Sequence, residues 1–210
     1  MNNKKNLTVY MAGPDVFYPN ALDVACQKKD ILSKKGFIGL HPFDNEVIGA
    51  GKIETGRLIS QKNKETMDKA DIILANLTPF RGPNVDDGTA FEIEYMDALK
   101  KPVFAYSNVA LDFCESVSKW NEEIFGAEPT IRDDGLVYDD NNYLIEDFNY
   151  HSNLMIGQTV EGRFSCLNTN IDQITSCLKA FETVVNMMSK ERNDGTLLFS
   201  SQKFQGCKLG

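Results

Sequence analysis

The sequence lacks the motifs that mark several common classes of binding site. It has only two histidines, His41 and His151, and neither belongs to a metal-binding pattern such as His-Glu-x-x-His. No Gly-x-Gly-x-x-Gly follows the first strand-like run, and Gly-x-x-x-x-Gly-Lys-Ser/Thr does not occur. We therefore expect no metal and no cofactor, and the dinucleotide-binding and P-loop interpretations lose their main support.

Positive charge is scarce as well. The 22 Lys and Arg residues are outnumbered by 30 Asp and Glu residues, which gives a formal net charge of −8. A protein that binds nucleic acid needs a basic surface to displace counterions. The charge balance therefore argues against nucleic acid as a partner and leaves small neutral or cationic ligands open.

Long apolar runs and paired cysteines are also missing. No run approaches the length that spans a bilayer, and the start, Met1-Asn-Asn-Lys-Lys-Asn6, has no apolar signal-peptide core. The five cysteines are odd in number and widely spaced, without a Cys-x-x-Cys pair. Reduced thiols in a cytoplasmic protein without membrane contact are the simplest interpretation.

The apolar pattern indicates an α/β fold. Strands are expected at residues 7–12, 37–41, 71–77 and 102–107, and helices between residues 20 and 36 and at 54–69, 89–100 and 170–190. Continuous apolar strands separated by helices predict a parallel sheet that is buried on both faces. We expect one domain at 1–190, with an acidic excursion at about 108–151 that breaks the pattern, and a tail at 191–210.

Residues 81–96 join the third strand to the following helix and carry four carboxylates, Asp86, Asp87, Glu92 and Glu94. Crossovers at the carboxyl ends of parallel strands are where ligands bind in such sheets. Glu92 with Asp86 or Asp87 can supply the two groups needed to cleave a glycosidic bond through a covalent intermediate. Glu94 lies about 200° around the helix from Glu92, so both cannot face one pocket.

Structural interpretations of the same residues are strong. Thr89-Ala-Phe-Glu92 is a capping-box pattern, and spacing alone favours that role for Glu92 over catalysis. Asp86 and Asp87 before Gly88 are typical of a turn or helix N-cap. Asn63 is most simply a solvated helix residue. Local spacing therefore leaves function undecided.

Six segments, taken in their order along residues 7 to 156, resemble the nucleoside 2-deoxyribosyltransferase family. They are Val9-Tyr-Met-Ala-Gly-Pro14, Pro42-Phe-Asp-Asn-Glu46, Asn63 ahead of Ala70-Asp71, Asn76-Leu-Thr-Pro-Phe-Arg-Gly-Pro83, Asp86-Asp-Gly-Thr-Ala-Phe-Glu92 and Asn153-Leu-Met155. The resemblance implies a flavodoxin-like three-layer α/β sandwich with a five-stranded parallel sheet. It also implies exchange of the base of a 2'-deoxynucleoside for another free nucleobase, with no cofactor.

The resemblance assigns the catalytic roles by position. It implies that Glu92 attacks C1' and forms a deoxyribosyl-enzyme, and that Tyr10 hydrogen-bonds this nucleophile. Asp86 matches an acidic position that binds the sugar 3'-hydroxyl and helps to hold the nucleophile. Asn63 matches a position near the base that protonates or positions it.

The resemblance also implies substrate contacts and an oligomer. Within one chain, the expected substrate-binding residues are Asp15, Phe17, Glu46 and Gly88. Asn153 and Met155 are expected to enter the site of a neighbouring subunit in a dimer-based homo-oligomer, closing it on the 5'-hydroxyl side. Glu94 departs from the family pattern, since many members have Gly there, and the excursion is longer than in compact members.

Two other functions remain open at this point. A nucleoside or nucleotide N-glycosidase would use the same Glu92 but give the sugar to water. A non-catalytic flavodoxin-like module is improbable as a receiver domain, because Asp15 is a lone acid after the first strand and no convincing Lys ends the last strand.

Overall fold

Eight strands form two separate sheets in the computed structural model, which describes residues 6–45 and 47–197. The strands are β1 Leu7–Ala12, β2 Phe37–Leu40, β3 Ile72–Asn76, β4 Val103–Ser107, β5 Thr130–Ile131, β6 Val137–Tyr138, β7 Leu144–Ile145 and β8 Phe164–Cys166. The central sheet has the order β2-β1-β3-β4-β8, and all of its neighbouring pairs are parallel. This arrangement confirms the predicted five-stranded parallel sheet.

Helices cover both faces of the central sheet. They are α1 Ala21–Lys34, α2 Lys52–Lys69, α3 Asp87–Ala98, α4 Phe113–Phe125, α5 Leu154–Thr159 and α6 Lys179–Asp194, with short 3-10 turns at Pro14–Phe17, Pro42–Asp44 and Ile171–Gln173. One buried cluster joins the sheet to α1 and α6, and a second joins it to α2, α3 and α5. The fold is therefore the predicted three-layer α/β sandwich.

Strand β1 shows how the sequence assigns side chains to these layers. Successive side chains of a strand point to opposite faces of its sheet. Val9 and Met11 accordingly belong to the cluster with α1 and α6, whereas Tyr10 and Ala12 belong to the cluster with α2, α3 and α5. This alternation turns Tyr10 towards α3, the helix that carries Glu92.

The excursion is more ordered than its sequence pattern predicted. Helix α4 begins with a capping box, in which the Asp112 side chain accepts a hydrogen bond from the backbone of Glu115 and the Glu115 side chain accepts one from the backbone of Asp112. After α4, strands β5, β6 and β7 form a small antiparallel sheet. The excursion thus contributes a helix and a sheet that periodicity did not reveal.

The last helix starts later than predicted. Helix α6 begins at Lys179 rather than near residue 170, because the preceding segment is held by contacts from another part of the chain. Asn108 donates hydrogen bonds to the carbonyls of Ile174 and Cys177 at 2.8 and 3.0 Å. Since α6 continues to Asp194, the boundary predicted at residue 190 falls inside a helix. Most of the predicted tail, 198–210, lies outside the described residues.

No helix in the described part of the chain is both long enough and apolar enough to cross a bilayer.

The buried face of α1 can be tested with one substitution at two positions. Leu32 is fully buried, whereas Leu22 on the same helix is 68% exposed. We expect Leu32→Ala to lower the free energy of unfolding by about 2–5 kcal/mol, since it leaves a cavity in the core. Leu22→Ala should change it by less than about 0.5 kcal/mol. Urea unfolding followed by circular dichroism, at one protein concentration, measures both; equal losses would contradict the assignment.

Candidate active site

A cavity of about 380 Å³ opens at the carboxyl ends of the central strands. The loops after β1 and β2, helix α2 and the first turns of helix α3 all contribute to its lining. Its lining residues are Gly13, Val16, Phe17, Pro42, Phe43, Asn45, Val47, Ile59, Asn63, Asp86, Gly88 and Glu92. The cavity therefore brings together five residues that the sequence predicted for the site: Phe17, Asn63, Asp86, Gly88 and Glu92.

Glu92 is held in the cavity by Tyr10. The Tyr10 hydroxyl donates a hydrogen bond of 2.5 Å to Oε1 of Glu92. Tyr10 is fully buried in β1, directly beneath α3. Burial and the neighbouring carboxylate raise the pKa of Tyr10 well above its ordinary value, so it stays a donor. The pairing predicted between these two residues is present.

The carboxyl group of Glu92 is close to its titration point at neutral pH. Burial raises the pKa of Glu92 from 4.5 to about 7, and the charge of nearby Asp86 acts in the same direction. The hydrogen bond from Tyr10 opposes both effects, because it favours the charged form. A carboxyl with such a pKa in a cavity is a candidate for nucleophilic or acid-base chemistry.

Asp86, not Thr89, caps helix α3. Its Oδ2 accepts hydrogen bonds from the backbone nitrogen and the hydroxyl of Thr89, at 3.0 and 3.1 Å. Thr89 is therefore the third residue of the helix, and the capping-box interpretation of Glu92 is wrong. With the cap provided by Asp86, the side chain of Glu92 is left to face the cavity one turn further along α3.

Apart from Asp86 and Glu92, the lining of the cavity is mostly apolar, with amides from two asparagines. Asn63 lines it from α2, and Ile59 lies one turn earlier on the same helix. Phe17 also lines the cavity and stacks on Phe80, with ring centroids 5.4 Å apart and the planes nearly parallel. The guanidinium of Arg81 lies against both rings. Such a lining suits a flat, weakly polar ring with hydrogen-bonding edges.

Asp15 does not line the cavity. It is 5% exposed, and its carboxylate is occupied by Lys28 and Asn76 at 2.7 and 3.1 Å. Direct contact with a substrate, as predicted from the sequence, is therefore not what this geometry supports. The reason is tertiary: Lys28 on α1 and Asn76 at the end of β3 draw the side chain inward.

Asn153 and Met155 lie away from the cavity of their own chain. Asn153 caps α5 and donates a hydrogen bond of 2.8 Å to Glu146, while Met155 is 61% exposed. Their predicted role in a neighbouring subunit stays a prediction. Glu46 lies outside the described residues.

Several cavity residues were not predicted from the sequence. Val16, Phe43, Asn45, Val47 and Ile59 all line it. Phe43 and Asn45 stand inside the segment Pro42–Glu46 that carried part of the resemblance, and Ile59 precedes Asn63 by one helical turn. Their closeness in the sequence to residues already predicted was thus the signal that could have identified them.

Metal-ligating side chains do not converge in the part of the chain that the structure describes. Among those residues, no group of three or more His, Cys, Asp or Glu side chains is placed to hold an ion. The carboxylates of the cavity have other partners: Glu92 accepts from the phenol of Tyr10, and Asp86 accepts from Thr89 at the start of α3.

Comparison with known proteins gives one family match. The model of a family described as nucleoside 2-deoxyribosyltransferase matches residues 9–155, well over half of the chain. This range contains every residue predicted for the site.

Individual relatives are more distant. An uncharacterized protein of Schizosaccharomyces pombe is 34% identical over 123 residues, which cover 56% of this chain and 58% of the yeast protein. The match thus spans less than two thirds of that relative. A solved structure described as a 2-desoxiribosyltransferase from Leishmania mexicana is 29% identical, with a TM-score of 0.55, covering 86% of this chain and 97% of that one. A conserved protein from Enterococcus faecalis, 17% identical with a TM-score of 0.50 over 87% of this chain and 99% of its own, shares the fold.

The raised pKa of Glu92 predicts a pH-dependent stability cost. The folded protein keeps the proton of Glu92 up to about pH 7, whereas the unfolded chain loses it near 4.5. The stability linked to this proton is full below the unfolded pKa and is lost as pH rises through 7. Glu92→Gln cannot ionise, so we expect it to unfold with a free energy higher than wild type by about 1–3 kcal/mol at pH 8.

At pH 5 the same variant should differ from wild type much less. Urea unfolding of both proteins at the two pH values measures the effect. A gain of equal size at pH 5 and pH 8 would show that ionisation of Glu92 is not its cause.

Proposed function

Because the chain belongs to the nucleoside 2-deoxyribosyltransferase family, we propose that it transfers 2-deoxyribose from a 2'-deoxynucleoside to an acceptor purine or pyrimidine base. Family membership rests on the match over residues 9–155. The reaction would proceed through a covalent deoxyribosyl-enzyme on Glu92, with overall retention at C1'. Such base exchange belongs to the salvage of nucleosides.

One observation carries this proposal more than any other. Glu92 faces a cavity with one oxygen bound to Tyr10 at 2.5 Å, in the same cavity as Asp86 and Asn63. Tyr10 fixes the carboxylate and favours its charged form, while the second oxygen is left for attack. A helix cap would have its carboxylate at the start of α3, and Asp86 already occupies that position.

The first chemical step forms the bond between Glu92 and the sugar. An oxygen of the Glu92 carboxylate attacks C1' as the bond from C1' to the base nitrogen breaks. The base leaves with the electron pair of that bond and takes up a proton. Positive charge that develops on the sugar in the transition state lies next to the carboxylates of Glu92 and Asp86.

Departure of the base is assisted by Asn63, which lines the cavity from α2. Asn63 can donate one hydrogen bond and accept another at the edge of the ring, which positions the base. An amide is not an acid, so the proton itself comes from another donor. General acid catalysis of this kind contributes about 10²–10⁴ in rate.

The second step reverses the first with a different base. A nitrogen of the acceptor base attacks C1', the C1'–O bond to Glu92 breaks, and the carboxylate is released while the acceptor loses its proton. Two inversions at C1' restore the original configuration. Water attacking at the same stage would make the protein a hydrolase, so exclusion of water decides the outcome.

A neighbouring subunit would supply this exclusion. Asn153 and Met155 are presented by α5, and Met155 is exposed rather than packed in its own chain. Placed over the sugar of a second chain, Asn153 would bind the 5'-hydroxyl and Met155 would cover C1'. The complete site then needs two copies of the chain.

The transferase reaction can be distinguished from hydrolysis by its products. We expect deoxyinosine and free adenine to yield hypoxanthine and deoxyadenosine, separated by chromatography. Deoxyinosine alone should be consumed far more slowly, because no acceptor base removes the sugar from Glu92. Hypoxanthine and free sugar in equal yield, with no deoxyadenosine, would show a hydrolase instead.

The nucleophile is tested by paired substitutions on one helix. Glu92→Ala should lower turnover by about 10³-fold or more, since it removes the group that forms the intermediate. Glu94→Ala is the matched control, because Glu94 lies on the exposed face of α3 and should change turnover by less than about threefold. Full turnover by Glu92→Ala would exclude Glu92 as the nucleophile.

Subunit sharing predicts complementation between two inactive variants. Glu92→Ala and Asn153→Ala should each be inactive alone, yet a mixed dimer contains one site with neither substitution. If subunits exchange at random between dimers, about one site in four is intact. Activity of the mixture after exchange measures this fraction. A mixture as inactive as its parts would place Asn153 outside the neighbour's site.

A further inference from the structure

A buried ammonium lies beneath the candidate active site. Lys28 projects from α1, is 2% exposed, and contacts Oδ2 of Asp15 at 2.7 Å. The rings of Tyr106 and Phe181 flank its Nζ, with centroids 5.2 and 5.3 Å away. Lysine is almost never buried without a partner, because removing the charge from water is costly. In this structure the partner is Asp15, which does not line the cavity itself but stands in the chain between the lining residues Gly13 and Phe17.

Asp15 links Lys28 to the ends of two other strands. Its second oxygen accepts a hydrogen bond of 3.1 Å from Asn76, the last residue of β3. Asn76 in turn accepts from the backbone and hydroxyl of Thr78 at 3.0 and 2.6 Å. The Thr78 hydroxyl accepts from the backbone of Asn108, just beyond β4. One buried network thus joins α1 to the loops after β1, β3 and β4.

Residues 13–18 depend on this network for their position. Gly13 and Phe17 face the cavity on either side of Asp15, and the backbone of Tyr18 donates a hydrogen bond of 3.1 Å to the Asp15 carbonyl. A Cβ at Gly13 would lie 2.7 Å from both the Asn76 side chain and the Asp15 carboxylate, so the backbone packs directly on the network. A shift of Asp15 would therefore move the cavity wall.

The network has no direct access to a substrate. Asp15 and Lys28 do not line the cavity, and both carboxylate oxygens of Asp15 already have partners within the chain. Their influence must act through the residues that they hold. Phe17 is the clearest of these, since its exposed ring lines the same cavity as Asn63.

We propose that Lys28 is a positioning residue, whose buried ammonium neutralises Asp15 and so fixes residues 13–18 as the base-facing wall of the site. The proposal rests on the proposed function, because the wall is taken to bind the nucleobase. Without the ammonium, the Asp15 carboxylate loses the ion-pair partner that it has among the described residues. It would turn towards water and release Val16 and Phe17 from the wall.

Three variants separate positioning from general stability. Lys28→Met removes the ammonium alone, and the double variant Asp15→Asn/Lys28→Met removes both charges and leaves no unpaired one, in case the single variant does not fold. The matched control is Arg163→Met/Glu191→Gln. Arg163 is 7% exposed and pairs with Glu191 at 2.7 Å, but it precedes β8, at the amino-terminal edge of the sheet.

Two measurements are made on each variant. Amide hydrogen exchange of residues 13–18, followed by mass spectrometry, reports on the wall without any substrate. Steady-state kinetics with deoxyinosine and adenine measure how well the wall binds the base, through KM, and how fast the reaction runs, through kcat. In Lys28→Met, exchange should be about tenfold faster or more, whereas the double variant has no unpaired carboxylate and its exchange should stay within about threefold of wild type. In Lys28→Met the KM for adenine should rise about tenfold or more, with kcat within about threefold, because Glu92 and Tyr10 are unchanged.

The control pair should leave both the exchange of residues 13–18 and the KM at wild-type values. Unchanged exchange in Lys28→Met would overturn the proposal, as would faster exchange with an unchanged KM or an equal rise of KM in the control. Exchange in the double variant that is about tenfold faster than in wild type would also overturn it, whether or not Lys28→Met folds. If the wild-type protein shows no turnover of deoxyinosine and adenine, only the proposed function is overturned. The exchange of residues 13–18 would then still decide whether Lys28 holds the wall.

Discussion

The hydrogen bond between Tyr10 and Glu92 can form only when the whole sandwich is correctly assembled. The two residues are 82 positions apart, yet their side chains meet at 2.5 Å. This requires β1 beside β3 in the sheet, α3 packed over that pair, and the alternation of β1 that turns Tyr10 towards α3. A shift of β1 by one residue would turn Tyr10 to the other face and leave Glu92 without its donor.

The site is built from polar groups whose burial is costly. Burial raises the pKa of Glu92 to about 7, and the pair of Lys28 and Asp15 is nearly removed from solvent. Stability of the core does not explain either feature, since apolar side chains of similar size at these positions would often make the fold as stable or more so. Their presence at the carboxyl ends of the strands agrees with the functions that we propose, in which Glu92 reacts and Lys28 and Asp15 hold the wall beside it.

The regular elements of the sandwich were predictable because their signals are local. Continuous apolar runs marked four of its strands, and helical periodicity marked α1, α2 and α3 to within a few residues. Strand β8 is only three residues long and was not located, and α4 was missed inside an acidic segment. The start of α6 was placed too early, because Asn108 holds the preceding carbonyls from across the fold. Short strands and long-range side-chain contacts leave no periodic signal.

The sequence by itself determined the parallel α/β architecture and, through ordered motifs, the residues around Glu92. It could not decide between a helix cap and a free carboxylate at Glu92, because Thr89-Ala-Phe-Glu92 satisfies the spacing of a capping box. Tertiary structure decided this by placing the cap on Asp86 and the phenol of Tyr10 against Glu92. It likewise turned Asp15 from the cavity to Lys28. Both outcomes depend on which distant side chains fold into contact, and only the packed chain brings those side chains together.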